Sequence, residues 1–472
     1  MTAAAEMRKK MEWILNLKQA AQACGGELKN CSPDEIVKAV ITDSRAVEDG
    51  CIFVALRGEH FDGHRFVSNA VESGAVCCIV RDEDGLDGMP LMVVEDTNAA
   101  LRNLAAYYRE QFDVPVVAVT GSVGKTSTKD MIYSVLSQEY RTLCTNGNFN
   151  NEIGLPLTVF RLTQEDRLMV LEMGMSAFGE ISRLTQIAKP DAAVITNIGL
   201  AHIEHLGSQE NIRKAKLEVL DGLAMDGALF LNGDDELLWE LAGDLPYEVL
   251  YYGIENANCD LVATDVHMYS DSSDFKVKVE GIEYSFSVRV PGQHQIYNAL
   301  AAILTGIRYN IPMEKIIQGV RMFVPSGMRQ NIMELSDCTL IKDCYNASPV
   351  SMKSGLDVLI RTASKNSARK VAVLGDMLEL GEFSEQAHRD IGKLICDFKI
   401  DCLVTVGEMA KHIAESAVER GFNASSTYVF YDNAAAIENL NGILCSGDVI
   451  LVKASRGMKL EEIADYICEH GA

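Results

Sequence analysis

The chain has 472 residues, of which 48% are apolar, and its 43 basic and 67 acidic side chains give a formal net charge of −24. At about 150 residues per domain, this length predicts roughly three domains, and the apolar content excludes a largely disordered chain. The negative charge argues against a nucleic-acid-binding protein, which would present a basic face, so an anionic ligand must be held by local donors.

The cysteines and the N-terminus bear on the compartment. Thirteen cysteines are scattered without a C-x-x-C pair, which argues against a zinc ribbon or a dithiol motif and favours a reducing environment. The first 25 residues lack the apolar core and cleavage site of a signal peptide. No 18-residue apolar run predicts a membrane span. We therefore expect a soluble cytoplasmic protein.

The first hundred residues predict a small α/β domain. Apolar runs at 51–56 and 75–82 are bounded by turn signals and predict strands, with helical spacing between them at 66–74. A helix with an apolar face is predicted over 97–112, leading into a second domain. The predicted domains are 1–100, 101–325 and 326–472.

From residue 115, apolar runs alternate with helical segments, which predicts a parallel sheet covered on both faces. Residues 259–290 instead predict antiparallel strands, and 295–310 predict a helix. The apolar runs are VVAVT (116–120), RLMVLEM (167–173), DAAVITN (191–197) and GALFLN (227–232).

A linker containing Pro and Gly at 324–330 precedes the last block, for which we predict a second doubly wound sheet. This block lacks the G-x-G-x-x-G fingerprint, so NAD binding is not inferred. The predicted strands are 370–376, 401–407, 426–432 and 448–455.

The stretch VVAVTGSVGKTSTKDM (116–131) is typical of a phosphate-binding loop between a strand and a helix. The usual pattern, G-x-x-x-x-G-K-[ST], has four residues between its glycines. Here Gly121 and Gly124 have only two between them, and Val119 stands where the first glycine belongs. The spacing leaves open whether this is a nucleotide site or a glycine-containing turn.

The chemistry of this loop favours the nucleotide site. Backbone N–H groups of residues 121–124 can face phosphate oxygens, and the positive end of the following helix adds to the attraction. Lys125 would reach the β- and γ-phosphates, and the Thr126 hydroxyl would bind Mg²⁺.

Polar residues follow the next two strands. Glu172 lies at the carboxyl end of its strand, the edge where doubly wound sheets bind ligands, and a carboxylate there can hold Mg²⁺; a helix N-cap is the alternative. His202 and His205 follow the next strand, and functional and structural roles are equally open for them.

Two further groups are ambiguous from the residues alone. Lys214 and Lys216 on a helix favour a solvated charged face. The segment 145–156 is rich in amides, which suit either a large polar substrate or turns. Its asparagines are Asn146, Asn148, Asn150 and Asn151.

Together these motifs resemble the Mur ligases, ATP-dependent amide-forming enzymes of peptidoglycan precursor synthesis. The family's shortened phosphate loop has the form T-G-[ST]-x-G-K-T, which TGSVGKT (120–126) fits. Further matches, in the family's order, are EMGMS (172–176), TNIGLAH (196–202), NGDD (232–235) and PGQHQIYNALAA (291–302).

Within the family, four segments are similar to those of the ligases that add D-alanyl-D-alanine to UDP-N-acetylmuramoyl-tripeptide. They are TDSRAVEDGCIFVALRGEHFDGH (42–64), DCYNASPVSM (343–352), VLGDMLELGEFSEQAH (373–388) and VKASRGMKLE (452–461).

The resemblance implies a three-domain α/β fold and a reaction. A small N-terminal α/β domain would bind the UDP-sugar. A central domain, with a phosphate-loop parallel sheet and an antiparallel subsheet, would bind ATP. A C-terminal Rossmann-like domain would bind the incoming dipeptide. ATP would phosphorylate the tripeptide carboxylate, and the D-Ala-D-Ala amine would then displace phosphate from the acyl phosphate. A monomer with ATP and Mg²⁺ is implied.

The resemblance also implies residue roles. Catalytic residues would be Lys125, Glu172, His202 and Lys216. ATP would contact Thr120, Gly121, Ser122, Val123, Gly124, Lys125, Thr126 and Ser127, with Asn298 at adenine, Asp343 at ribose and Arg329 at the γ-phosphate. Mg²⁺ would contact Thr126, Glu172, His202 and, once carbamylated, Lys216. Substrate ligands would be Ser44 and Arg45 at the uridine diphosphate, Asn346 at the dipeptide, and Asn150 and Asn151.

The chain departs from the family outside the phosphate loop. The family often has Asn where this chain has Gln295 and Ser348, and Gly-Arg where it has GMR at 327–329. Alternatives are a Mur-type ligase for another amine or a folylpolyglutamate-type ligase, against which the DSR and DMLELGE segments argue. A nucleotide-gated regulatory ATPase is the alternative from another class.

Overall fold

The computed structural model describes residues 15–58, 61–364 and 367–471. Three large sheets follow one another along the chain, and each is covered by helices, which confirms the α/β fold class. Among the described residues, no helix combines the length and the apolar composition needed to cross a membrane.

The N-terminal part contains a five-stranded sheet in the order β2-β7-β6-β5-β4, in which only β2 is antiparallel, and a two-stranded pair of β1 and β3. Its strands are β1 (Leu15–Asn16), β2 (Glu27–Lys29), β3 (Ile36–Val37), β4 (Ala39–Ile41), β5 (Cys51–Val54), β6 (Cys77–Val80) and β7 (Leu91–Val93). Its helices are α1 (Leu17–Cys24), α2 (Val67–Glu72) and α3 (Thr97–Arg109).

Helix α3 begins where the Asp96 carboxylate accepts hydrogen bonds from the first-turn N–H groups. The predicted domain boundary at residue 100 falls inside this helix. Its last turn is fastened to the central part of the protein, because the Tyr108 hydroxyl donates to Leu162 O at 2.9 Å and the Arg109 guanidinium donates to Ala188 O at 3.2 Å. Helix α3 therefore connects the N-terminal and central parts as one continuous helix.

The central sheet has nine strands in the order β16-β15-β14-β13-β12-β11-β8-β10-β9. Its strands are β8 (Val116–Thr120), β9 (Thr142–Cys144), β10 (Leu168–Glu172), β11 (Ala192–Ile195), β12 (Ala228–Asn232), β13 (Glu248–Gly253), β14 (Leu261–Met268), β15 (Ser273–Val279) and β16 (Ile282–Val288). The helices are α4 (Lys125–Leu136), α5 (Gly154–Val159), α6 (Glu180–Ala188), α7 (Ile203–Leu206), α8 (Gln209–Leu217), α9 (Glu236–Trp239), α10 (Gln293–Arg308) and α11 (Met313–Met322).

Strands β8 to β14 are mutually parallel. Strand β15 pairs in the antiparallel direction with both β14 and β16. The predicted antiparallel subsheet is thus part of one continuous sheet, which β14 joins to β13. Every residue of β8 is buried, and alternate residues enter opposite cores: Val116 and Ala118 one, Val117 and Val119 the other. This two-sided burial explains the uninterrupted apolar runs.

The C-terminal sheet has the order β17-β18-β22-β19-β20-β21, and all its strands except β17 are parallel. The predicted second doubly wound sheet is confirmed. Its strands are β17 (Asn331–Glu334), β18 (Thr339–Lys342), β19 (Lys370–Gly375), β20 (Cys402–Val406), β21 (Thr427–Phe430) and β22 (Val449–Lys453). Its helices are α12 (Pro349–Ser364), α13 (Ser384–Asp397), α14 (Lys411–Glu419), α15 (Asn433–Leu440) and α16 (Glu461–His470).

The topology locates the site. Strand β8 lies between β10 and β11, so the chain continues to β9 and β10 on one side and to β11 on the other. Ligands of open α/β sheets bind at the carboxyl end of such a switch point. The segment that follows β8 is the loop at 121–124.

Candidate active site

The two loop glycines occupy positions that other residues would not tolerate. Gly121 has φ of 146°, and a Cβ there would lie 1.9 Å from Thr196 Oγ1. Gly124 has φ of 89° and directly precedes α4. Both backbone conformations favour glycine, so the shortened spacing is compatible with an ordered loop.

Part of this loop is held by the segment after β11. Ser122 N donates to Asn197 O at 3.0 Å, and Val123 N donates to Asn197 Oδ1 at 2.9 Å. The sequence predicts that N–H groups of residues 121–124 can face phosphate, but those of Ser122 and Val123 are hydrogen-bonded within the protein. No side chain caps the start of α4, so the N–H groups of its first turn are the remaining donors.

Lys125 begins α4 and points back along the loop. Its Nζ donates to Gly121 O at 2.7 Å. Burial lowers the pKa of its amine, and the nearby Glu172 carboxylate opposes that shift. A phosphate entering the loop would find this cation already beside the loop backbone.

Glu172 ends β10 and is completely buried. Its Oε2 accepts a hydrogen bond from Thr126 Oγ1 at 2.7 Å, and its Oε1 accepts one from Asn150 Nδ2 at 2.7 Å. The hydroxyl of the loop helix and the carboxylate of the next strand are therefore in contact, as the phosphate-loop interpretation requires. The expected N-cap alternative does not describe this carboxylate.

The other two predicted metal ligands are His202 and Lys216, and each has a different environment. His202 has φ of 65°, and its Nδ1 lies 2.5 Å from Glu379 Oε2 of the C-terminal part. This contact lowers the pKa of the Glu379 carboxyl. Lys216 is 1% exposed. Burial, followed by the Lys125 charge, lowers the pKa of Lys216 well below its ordinary value.

Lys216 is thus not on a solvated charged face, and among the described residues its amine has no hydrogen-bond or ion-pair partner. A buried amine without a counterion is unusual because a charged form there is strongly disfavoured. Over the parts of the chain that the structure covers, no three His, Cys, Asp or Glu side chains form a metal-binding group.

The C-terminal part supplies the opposite wall. The Arg329 guanidinium lies over the Tyr345 ring, 4.3 Å from its centre. Asp343 Oδ2 accepts a hydrogen bond from Lys453 Nζ at 2.8 Å, and the same amine donates to Asn346 O at 3.1 Å. The buried Lys453 therefore fixes the loop after β18.

A chain of side-chain hydrogen bonds joins the two walls. Thr128 Oγ1 of α4 donates to Asn298 Oδ1 at 2.8 Å, and Asn298 Nδ2 donates to Gln295 Oε1 at 3.0 Å. Gln295 Nε2 donates in turn to Gln330 Oε1 at 3.0 Å, and Gln330 N donates to Asp343 Oδ1 at 3.3 Å. Gln330 has φ of 49° and is 8% exposed, so a buried residue in a left-handed conformation connects the domains.

These groups surround one cavity of about 760 Å³. Most predicted site residues line it: Ser122, Val123, Gly124, Lys125, Ser127, Asn150, Asn151, Glu172, His202, Asn298, Arg329, Asp343 and Asn346. Four others, Thr120, Gly121, Thr126 and Lys216, are in or near the loop but outside the lining. Thr120 Oγ1 is buried and has no hydrogen-bond partner in the part of the chain that the structure describes.

Ser44 and Arg45 do not line this cavity either. They lie in a 3₁₀ turn after β4, where the exposed Arg45 guanidinium pairs with the Asp43 carboxylate at 2.7 Å. A ligand contacting both these residues and the cavity must extend beyond the cavity.

Several site residues were missed from sequence. Tyr345, Glu379 and Lys453 lie in segments that carry the family resemblance, but no spacing rule assigned them a role. The sequence places Gln330 only in the predicted linker at 324–330. A lysine at the end of a buried strand was the available signal for Lys453.

Three family descriptions match consecutive parts of the chain: "Mur ligase family, catalytic domain" over residues 36–121, "Mur ligase middle domain" over 119–306 and "Mur ligase, glutamate ligase domain" over 328–456. The UDP-N-acetylmuramoyl-tripeptide–D-alanyl-D-alanine ligase of Bacillus subtilis is 40% identical over 96% of this chain and 98% of its own length. The ligase of the same name from Escherichia coli is 35% identical, over 97% and 99%.

Solved structures are similar over the same length. The crystal structure of MurF from Acinetobacter baumannii superimposes with a TM-score of 0.89 at 31% identity, covering 97% of this chain and 99% of that one. MurF ligase from Thermotoga maritima, solved in complex with ADP, gives a TM-score of 0.80 at 28% identity, covering 91% and 97%.

Proposed function

This chain belongs to the Mur ligase family, whose members are ATP-dependent ligases, and we propose that it joins D-alanyl-D-alanine to the terminal carboxylate of UDP-N-acetylmuramoyl-tripeptide. The product would be a peptidoglycan precursor, with ADP and phosphate released. The relatives named above for this reaction match nearly the whole chain.

The single observation that carries the proposal is the composition of the 760 Å³ cavity. One wall contains the phosphate loop and Glu172, and the other contains Arg329, Asp343 and Asn346. A site that activates a carboxylate with ATP and then condenses it with an amine needs phosphate donors and an amine site within one enclosure.

For ATP, we assign Lys125, Arg329 and the first-turn N–H groups of α4 to the phosphates. Two cations and a helix N-terminus stabilise negative charge that builds up as the γ-phosphoryl group moves. Asp343 is assigned to the ribose and Asn298 to the adenine. Because Asn298 is already bonded to Thr128 and Gln295, its amide orientation is fixed before a ligand arrives.

The residues present fit Mg²⁺. The Thr126 hydroxyl and the Glu172 carboxylate are hard oxygen donors already 2.7 Å apart, the ligand type that Mg²⁺ prefers. We assign Mg²⁺ to this pair; when bound, the ion would neutralise phosphate charge. His202 and Lys216 are assigned to a second ion, which requires that Lys216 first become a carbamate.

The remaining steps depend on placement. The tripeptide carboxylate oxygen forms a bond to the γ-phosphorus as the bond to ADP breaks, and the dipeptide amine then attacks the acyl carbon while phosphate leaves. Asn346 and the following Ser348-Pro349 turn would face the dipeptide, with Asn150 and Asn151 near the peptide. Ser44 and Arg45 would bind the uridine diphosphate at the far end of this long substrate.

The test is phosphate release measured with each substrate omitted in turn. We expect release only when UDP-N-acetylmuramoyl-tripeptide and D-Ala-D-Ala are both present, with a ligated product in equal amount. A nucleotide-gated regulatory ATPase would release phosphate without the dipeptide. Ligases for another amine would respond to that amine instead, and parallel assays with lysine and diaminopimelate tripeptides show which tripeptide serves as the acyl donor.

A further inference from the structure

No residue assigned above pairs with the terminal carboxylate of the dipeptide substrate. D-Ala-D-Ala has a reactive amine at one end and a carboxylate at the other. The amine must approach the acyl carbon beside the γ-phosphate, and two residues span at most about 7 Å. The carboxylate therefore points away from the phosphate loop but stays within the same cavity, and in a chain of net charge −24 it needs a local cation.

Helix α12 of the C-terminal part lines the same cavity. It begins directly after Ser348, and its lining residues recur at spacings of three and four, so one helical face is turned toward the cavity. The lining residues of α12 are Val350, Ser351, Lys353, Ser354, Asp357 and Arg361. Two of them, Lys353 and Arg361, are cations.

Arg361 is already neutralised. Its Nε donates to Asp357 Oδ2 at 2.7 Å and its Nη2 donates to Asp357 Oδ1 at 2.9 Å, a bidentate pair within the helix. Because both carboxylate oxygens of Asp357 are engaged, this side chain is not the partner of Lys353, although it lies one turn away. Arg361 and Asp357 together offer no free charge to a ligand.

The other basic side chains of the cavity also have partners. Lys453 is paired with Asp343, and His202 contacts Glu379. Lys125 and Arg329 are placed at the phosphates. Within the described part of the chain, Lys353 alone on the α12 wall has no ion-pair or hydrogen-bond partner in the protein. It is also exposed, so its ammonium can reach a ligand without breaking an existing contact.

We propose that Lys353 binds the terminal carboxylate of the incoming dipeptide and so selects acceptors that end in a free carboxylate. This inference rests on the proposed function and adds to it a residue that determines amine specificity. Lys353 would act on binding of the dipeptide and not on phosphoryl transfer, because the carboxylate is remote from the reacting carbon.

The experiment compares D-Ala-D-Ala with D-alanyl-D-alaninamide, which keeps the amine but lacks the negative charge. Wild-type protein should have a KM about tenfold or more higher for the amide, the size expected for one charge-assisted hydrogen bond. Lys353→Met should raise the KM for D-Ala-D-Ala about tenfold, abolishing the preference, with kcat and the KM values for ATP and UDP-tripeptide unchanged. Lys353→Arg should retain a preference for the acid.

The control is Lys278→Met, the same change at an exposed lysine of β15 outside the cavity, which should leave all KM values unchanged. The inference is overturned if Lys353→Met prefers the acid as strongly as wild type, or if its defect falls on the KM for UDP-tripeptide. Failure of the proposed function looks different: wild-type protein would then ligate neither dipeptide, and the inference would fall with it.

Discussion

Lys125 is a half-buried lysine that no carboxylate among the described residues contacts directly. Its hydrogen bond goes to the loop carbonyl of Gly121, and Glu172 acts on it through space. In the proposed reaction it stabilises charge on the transferring phosphoryl group. Lys125→Ala should therefore lower the rate of phosphate release by about 10²–10³, the usual cost of losing one preorganised donor.

The measurement is phosphate release with both substrates at saturation, with circular dichroism to show that the variant is folded. Lys278→Ala, a change at an exposed strand position, is the matched control and should retain wild-type rates. Normal ligation by Lys125→Ala would show that the loop assignment is wrong.

Lys216 leads to a different prediction. Its amine is buried and has no hydrogen-bond or ion-pair partner among the described residues, and its pKa is lowered by burial, so the neutral amine that reacts with CO₂ is favoured. We expect protein kept in CO₂-free buffer to lose activity and to regain it when bicarbonate is added. Native mass spectrometry should show one added CO₂ that is absent from Lys216→Met. Activity independent of CO₂, with no added mass, would contradict the carbamate.

Gln330 accepts hydrogen bonds from both His294 and Gln295, at 2.8 and 3.0 Å. Gln330→Ala removes this shared acceptor and releases the connection between Asn298 and Asp343, the proposed adenine and ribose ligands. We expect the KM for ATP to rise about tenfold. Gln318→Ala on the exposed surface of α11 should not change it. An unchanged KM for ATP in Gln330→Ala would show that the network stabilises the fold and does not position the ATP ligands.

This network also shows which contacts between single residues the sequence does not predict. The phosphate loop was predictable because its residues are adjacent in sequence and its spacing has a physical reason. Gln330 and Gln295 are far apart in the chain, and nothing in either segment shows that they meet. The sequence shows Gln295 where the family often has Asn, but only the structure shows that this longer side chain contacts Gln330.

At the scale of elements, α13 and α14 pack closely at Gly392. A Cβ added there would lie 2.4 Å from Ile413 O and 2.7 Å from Ser416 Cβ, so the helices would have to separate. Gly392→Ala should reduce the free energy of unfolding by about 1–3 kcal/mol, the usual cost of overpacking, even though alanine favours helix. Urea denaturation measures this change.

The control is Gly442→Ala, an exposed position where the nearest atom to an added Cβ is Asn439 O at 3.5 Å; it should change stability little. Equal stability of the two variants would mean that the helices adjust without cost.

The elements themselves were largely predictable, for a reason that the central sheet illustrates. A strand buried on both faces must be apolar throughout, so β8, β10, β11 and β12 are visible as continuous runs. The pairing of β14 was not predictable. It is parallel to β13 and antiparallel to β15, whereas the side-chain pattern of residues 259–290 predicts antiparallel neighbours alone.

Across the whole molecule, three consecutive α/β units were predictable from the length of the chain and from the alternation of strands and helices. The positions of the junctions between the units have no such signal in the sequence. The predicted boundary at residue 100 divides a continuous helix, because α3 contributes to the packing of two sheets and carries no compositional break. The boundaries at 100 and 325 stay predictions.

The cavity is built from two units, whose walls are in contact at several points. One is the contact of His202 with Glu379, and another is the hydrogen bond from Ser326 Oγ to Asp130 Oδ2 at 2.5 Å. Ser44 and Arg45 lie on the third unit, outside the cavity lining. A substrate that binds all three would draw them together and exclude water, which would otherwise hydrolyse the acyl phosphate.

Small-angle X-ray scattering tests this closure. With a non-hydrolysable ATP analogue and UDP-tripeptide both bound, the radius of gyration should be smaller than that of the free protein, since binding energy spent across domains favours the compact state. The analogue alone should have a smaller effect, because it does not contact the N-terminal unit. Lys125→Ala provides the control, since weakened phosphate binding should shift the response to higher analogue concentration. Identical scattering profiles with and without both ligands, at saturation confirmed by calorimetry, would show that the site works without closure and that the cavity already has its reactive dimensions.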